Sequence, residues 1–147
     1  MAKNVVKNLD KVIRQMQSFG RNTEKAIAQI TEDNAQEIVL SAKNNARNLG
    51  ILDNGTLIDG IASGNKGKLN QVIFAKEKYS AYMEFGTGGL VNVPSELKEV
   101  ASQFKGKGVK KINIQPRPFL YPAFVKGRLH YLKELKDNLN VLVKRHG

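Results

Sequence analysis

The stretch TEKAIAQITEDNAQEIVLSAKNNARNLG, residues 23–50, decides the fold. Ile27, Ile30, Ala35, Ile38, Ala42, Ala46 and Leu49 recur at steps of three to five and line one side of an α-helix. At 1.5 Å per residue that helix is about 40 Å long. Its stripe is rich in alanine, so another helix can approach it closely. Asn22 or Thr23 offers an N-cap, Glu24 suits the first turn, and Gly50 marks the C-terminal stop.

Upstream, residues 3–19 carry a second apolar stripe of Val5, Leu9, Val12, Met16 and Phe19, with Val6 and Ile13 beside it. Lys3, Lys7, Lys11 and Arg14 fall largely on the opposite face. Gly20 is expected to stop this run, which makes two N-terminal helices.

Downstream, Asp53-Asn54-Gly55 is a turn signal, and residues 55–78 read as β-like or irregular. Leu57-Ile58 and Ile61 are short apolar pieces, Gly64 to Gly67 reads as a hairpin tip, and Val72 to Ala75 as a strand. Tyr79 to Phe85 suits a short helix ended by Gly86-Thr87-Gly88-Gly89. Pro94 opens a further helix carrying Leu97, Val100, Ala101 and Phe104. Residues 105–113 form a basic, glycine-containing loop, Ile112 to Ile114 reads as a strand, and Pro116 and Pro118 enforce extension. The last helix is expected over 121–144, with Phe124, Val125, Leu129, Leu132, Leu135, Leu139 and Leu142 as its apolar seam.

Helices and strands therefore segregate. The expectation is an α+β fold, with long N-terminal helices and a C-terminal helix packed on a small, mostly antiparallel sheet. It is one domain over 1–147, comprising a helical region 3–49, strands, short helices and the basic loop over 50–120, and the helix 121–144. The 147 residues, 41% hydrophobic and 25% charged, suit one modest core rather than a disordered chain. No run of about 18 apolar residues offers a membrane span. The first residues lead into a polar amphipathic stretch rather than a signal-peptide apolar segment.

Charge is placed unevenly. The net charge is +11, yet residues 101–147 hold 11 basic and 2 acidic residues, whereas residues 1–100 hold 13 and 11. The excess in the last third points to a polyanion, most simply nucleic acid, and a basic soluble surface accounts for the same count. Lys105, Lys107, Lys110, Lys111 and Arg117 are the candidate contacts with DNA or a partner. Contact through them would follow phosphates independently of sequence and weaken with salt. The loop lacks aromatics to stack on bases, and no recognition helix or zinc finger is visible. A solvated loop is the plain alternative.

Catalytic chemistry finds little support. Cysteine is absent, which removes disulfides, thiol nucleophiles and cysteine-ligated metals. His130 and His146 are the only histidines, and they read as surface residues without HExxH or another His/carboxylate metal spacing. Asp53, Asp59, Glu32 and Asp33 suit turn and solvation roles. No Gly-Lys-[Ser/Thr] follows the glycines at 86–89, and no Gly-x-Ser-x-Gly occurs. No catalytic residue, metal or cofactor is expected.

Two segments carry a family resemblance: YSAYMEFGT at 79–87 and QPRPFLYPA at 115–123. In that order they resemble the small tail-component proteins of long-tailed bacteriophages, a morphogenesis family acting at the neck and tail junction. Gly55-Thr56-Leu57-Ile58-Asp59-Gly60-Ile61 loosely fits a further family segment, with Gly60 where a serine often sits. Residues 93–108 look like an insert found in some members. The resemblance covers residues 20–145. Its motif residues here are Tyr79, Glu84, Phe85, Gly86, Thr87, Pro118, Phe119, Leu120, Pro122 and Ala123.

These residues suit positioning rather than chemistry. Phe85 is expected to anchor the short helix in the core, and Gly86 to allow a left-handed stop. Glu84 and Thr87 are expected to bond backbone groups at that turn. Pro118 enforces extension, Pro122 sits in the first helical turn, and Phe119 and Leu120 pin the last helix to the sheet.

The resemblance implies a structural virion protein, present in the host cytoplasm during assembly and then in the neck or tail. It implies a head–tail joining or tail-completion role as a homo-oligomer, a hexameric ring around the DNA path formed from a monomeric free chain. Connector, tail terminator or tail tube proteins would be its neighbours, with non-specific contact to phage DNA and no membrane. The other reading is a sequence-independent nucleic-acid-binding module in phage packaging or regulation.

Overall fold

A computed structural model describes residues 2–51, 55–67, 69–102 and 113–146, with side chains from residue 11 to residue 145. The N-terminal stripes belong to one helix. Helix α1 (Ala2–Asn48) runs unbroken through Gly20 for 47 residues, about 70 Å. The expected break at Gly20 does not occur. A lone glycine inside a helix costs only about 1 kcal/mol relative to alanine, too little to break a ladder that continues for many residues on both sides. Gly50 does end the helix. It takes a left-handed φ of 72°. The Gly50 N–H donates to the Arg47 carbonyl at 3.0 Å, and the Ile51 N–H donates to the Ala46 carbonyl at 2.9 Å. Ala46 and Ile51 are both buried, which gives this C-terminal motif its apolar contact.

Past the turn, a short helix α2 (Thr56–Asp59) places Leu57 and Ile58 in the core. This departs from the β-like reading of the segment. Strands β1 (Ile61–Asn65) and β2 (Gln71–Ala75) then form a two-stranded antiparallel hairpin, with Ile61 opposite Ala75 and Asn65 opposite Gln71. Gly64 lies inside β1, opposite Val72, so the turn falls later than its glycines suggest, and the Lys66 N–H donates to the Asn70 carbonyl to close it.

Helix α3 (Ser80–Phe85) follows. Turns of 3-10 helix at Gly88–Leu90 and Ser95–Leu97 lead into α4 (Lys98–Ser102), with Pro94 ahead of the second turn. Residues 113–118 form no regular secondary structure, so the described part of the expected strand at 112–114 is absent as such. Helix α5 (Leu120–His146) closes the chain.

The fold is α+β, with α5 lying antiparallel along α1 and the hairpin packed on α1 as well. One core gathers Ile38, Ala42 and Ala46 of α1, Ile51, Leu57, Ile58, Ile61, Phe119 and Ala123. Leu120 and the hairpin residues Ile73 and Ala75 pack against its edge. The alanines permit the close helix approach: Ala42 and Ala46 are fully buried. At the crossing, Gly127 of α5 lies against Ile38, and a Cβ there would fall 2.1 Å from Ile38 Cγ1. Beside it, buried Asn34 donates from Nδ2 to the Gly127 carbonyl at 3.1 Å, so its polar group is satisfied inside the seam.

Candidate functional site

The two motif segments, 28 or more residues apart in sequence, meet as a single latch at the N-terminus of α5. Glu84, 7% exposed, leaves α3 and reaches that N-terminus. Its Oε2 accepts from the N–H groups of Phe119 and Leu120, both at 2.9 Å, and its Oε1 accepts from the Tyr121 N–H at 2.8 Å. The first turn of a helix leaves its N–H groups without intrahelical partners. Here a carboxylate from a distant helix caps them, and Pro122 removes one further donor. The negative charge also meets the positive end of the helix dipole. Glu84 thus does not serve its own turn, as the sequence suggests, but the start of α5.

Gly86 forms the other side. Its φ is 76°, and an added Cβ would lie 2.7 Å from the Ile114 carbonyl oxygen and 2.9 Å from Pro116 Cδ. Both the conformation and the space require glycine. Its close approach lets the Thr87 N–H donate to the Ile114 carbonyl at 3.0 Å, while Thr87 Oγ1 accepts from the Ile114 N–H at 2.9 Å. The Arg117 N–H donates to the Met83 carbonyl at 2.7 Å. The Arg117 side chain is exposed. Lys105, Lys107, Lys110 and Lys111 lie outside the described residues.

The aromatic pair divides. Phe119 is 1% exposed and is among the largest fully buried side chains. Phe85 is only half-buried and stands outside the core cluster, which corrects the expectation that it anchors α3. The helix is held instead by buried Ser80, Ala81 and Glu84, because the latch orients that face inward. Tyr79 packs at the core's edge, Ala123 is buried, and Pro118 and Pro122 are exposed.

A second tie reaches α5 from the 3-10 turn that precedes α4. Glu96 accepts from the Tyr121 hydroxyl at 3.3 Å and pairs with Arg128 at 3.7 Å. The guanidinium of Arg128 also stands 5.8 Å from the Phe124 ring centroid. The Tyr121 phenol is pushed above its ordinary pKa, by desolvation first and by the Glu96 carboxylate next. Both flanks of the basic segment 103–112 are therefore fastened around the end of α3 and the start of α5.

One group of potential ligands was missed in the sequence. His130 and Glu134 are four apart on α5, and the helix pairing adds Glu37 from α1. His130 Nδ1 is 3.2 Å from Glu37 Oε2, and Nε2 is 3.5 Å from Glu134 Oε1. The His-x-x-x-Glu spacing was visible, whereas Glu37 required the register of the two helices. All three are at least partly exposed, and the arrangement works as an interhelical polar clasp. Elsewhere, an open depression between α1 and the hairpin tip is lined by Ala28, Glu32, Asn65, Gly67 and Gln71. Among these residues a single carboxylate has no base or nucleophile beside it. No helix among the described residues is long and apolar enough to cross a membrane.

Comparison with curated proteins and with solved structures gave no match. Comparison with family profiles did. Residues 10–86 match the bacteriophage HK97-gp10-like tail-component family, a span that takes in α1 from its third turn, α2, the hairpin and α3 through Gly86. The matched span ends before the Pro118–Ala123 segment, which the latch ties to it. With just over half of its residues inside the family match, the chain belongs to the HK97-gp10-like family of phage tail components.

Proposed function

We propose that the protein is a structural building block of the head–tail junction, joining the tail to the DNA-filled head as a ring around the DNA path. The latch is the observation that carries this reading. The family motif residues are used to fasten helices and the flanks of a basic segment, and the side chains they bury hold position rather than carry out a reaction. Lys105, Lys107, Lys110, Lys111 and Arg117 face DNA or an acidic neighbouring ring in this arrangement, and a net +11 per chain, repeated around a ring, makes a dense positive collar.

Particles assembled without the protein should separate into full heads and free tails when imaged. Reversing Lys107, Lys110 and Lys111 to glutamate should leave the isolated chain folded while impairing joining or DNA retention. Normal infectious particles from the triple variant would remove the basic segment from this role. The charge asymmetry also favours a second reading, a sequence-independent nucleic-acid-binding module. That reading requires the free protein to shift duplex DNA in a salt-sensitive manner, and absence of a shift at low salt would exclude it.

A further inference from the structure

The α1–α5 pairing fixes how far each helix extends past the other. Thr31 meets Tyr131 at 2.8 Å between hydroxyls, and Asn45 Nδ2 donates to the Phe119 carbonyl at 3.1 Å. With equal rise along both helices, the last residue of α5 comes level with about residue 16 of α1. The first four turns of α1 therefore project past the end of α5. Among the described residues the apolar seam continues onto this projection. Val12 and Met16 extend the line that runs through Phe19, Thr23, Ile27 and Ile30 into the core, yet they are 47% and 68% exposed, with Ile13 beside them at 43%. Their helical neighbours Lys11 and Arg14 are exposed too.

We propose that this projecting turn of α1 is a docking helix for an acidic, apolar-lined groove on a neighbouring protein of the particle. The mode is an amphipathic helix laid into a groove and anchored at i, i+3 or i+4 spacing. Charge selects the partner. Residues 1–17 hold four basic residues and one acidic residue. Along α5 a second copy of this chain would meet them with like charge, since that helix carries six basic and two acidic residues. A phosphate backbone satisfies the lysines but leaves the apolar face in water. A lipid surface is disfavoured because residues 2–17 contain no aromatic side chain to seat at an interface. An acidic groove with an apolar floor satisfies both faces at once.

The proposal rests on the tail-component reading for where the partner is found, and the experiment separates the two. The full-length protein, carrying photoreactive benzoylphenylalanine in place of Met16, is expressed during particle production and irradiated. The same probe replaces Leu40, 61% exposed and far along α1, as control. The expected result is one discrete protein product from position 16, mapping to an acidic surface of a particle protein and absent from position 40. Lys11→Glu with Arg14→Glu should reduce that product about tenfold or more, since like charge now meets the groove. Val12→Asp with Met16→Asp should exclude the protein from joined particles while its circular dichroism and melting stay near those of the unsubstituted chain. A product that is a second copy, that is destroyed by nuclease, or that is lipid would overturn the proposal, as would no product at all. If position 16 gives none of the expected product while purified particles contain the protein, docking fails and the tail-component reading stands. Absence of the unsubstituted protein from particles and their intermediates would overturn both.

Discussion

The inner and outer halves of the α1–α5 pair carry the same kind of apolar seam and treat it differently. In the inner half, Ala35, Ile38, Ala42 and Ala46 are at most 3% exposed, packed by α2, the hairpin and the start of α5. In the outer half, Val12 and Met16 of α1 are 47% and 68% exposed. A helix stripe thus identifies a face that seeks cover without saying whether the cover comes from the same chain. Where strands and loops are available to complete a second layer, the stripe becomes core. Where the helices outrun them, it becomes surface.

The sharpest way to test this division is to damage the inner half. Phe119→Ala should cost about 3–5 kcal/mol in chemical denaturation, the usual range for a fully buried phenylalanine. Phe85→Ala, at a half-buried position, should cost clearly less, and equal losses would mean that the latch does not set the orientation of α3. Glu84→Gln keeps the size but removes the charge that accepts three N–H groups, and should cost about 2–3 kcal/mol. Melting close to that of the unsubstituted protein would show that the first turn of α5 is capped some other way. Gly127→Ala drives a methyl into Ile38 and should cost about 1–3 kcal/mol.

The outer half should respond in the opposite sense. Gly20 has open space around the position of a Cβ and lies inside α1, so Gly20→Ala should stabilise by about 0.5–1 kcal/mol. Loss of stability there would show that α1 bends or is contacted at that point. Val12→Asp and Met16→Asp should change the stability of the free chain by no more than about 0.5 kcal/mol, as expected for surface sites.

Much of the fold was legible because it follows from periodicity and glycine placement. The stripe from Ile27 to Ala46, the stop at Gly50 and the short helix before Gly86 are local signals and appear where expected, whereas the seam of α5 is displaced: Phe124, Leu129 and Leu132 are exposed, and Ala123, Gly127 and Tyr131 meet α1 instead. Two further misreadings share a physical cause. At Gly20 and at Leu57-Ile58 a weak local preference was overridden, by helix continuity in one case and by packing against the core in the other. The site was half legible. The residue types of both motifs were evident, including the need for glycine at 86. Their partnership was not, because Glu84 acts on backbone groups 35 to 37 residues away, and backbone groups leave no mark on a sequence pattern. Glu37 joins His130 and Glu134 only through the register of two helices, which spacing within one helix does not reveal.

Native-state hydrogen exchange on the free protein tests the division of the molecule most directly, since protection reports the local free energy of opening. The account predicts the slowest exchange at residues 35–46 and at Phe119, Leu120 and Tyr121, with much faster exchange in the first four turns of α1 and the last turns of α5. Uniform protection along the whole of α1, or fast exchange at the three amides that Glu84 holds, would contradict it.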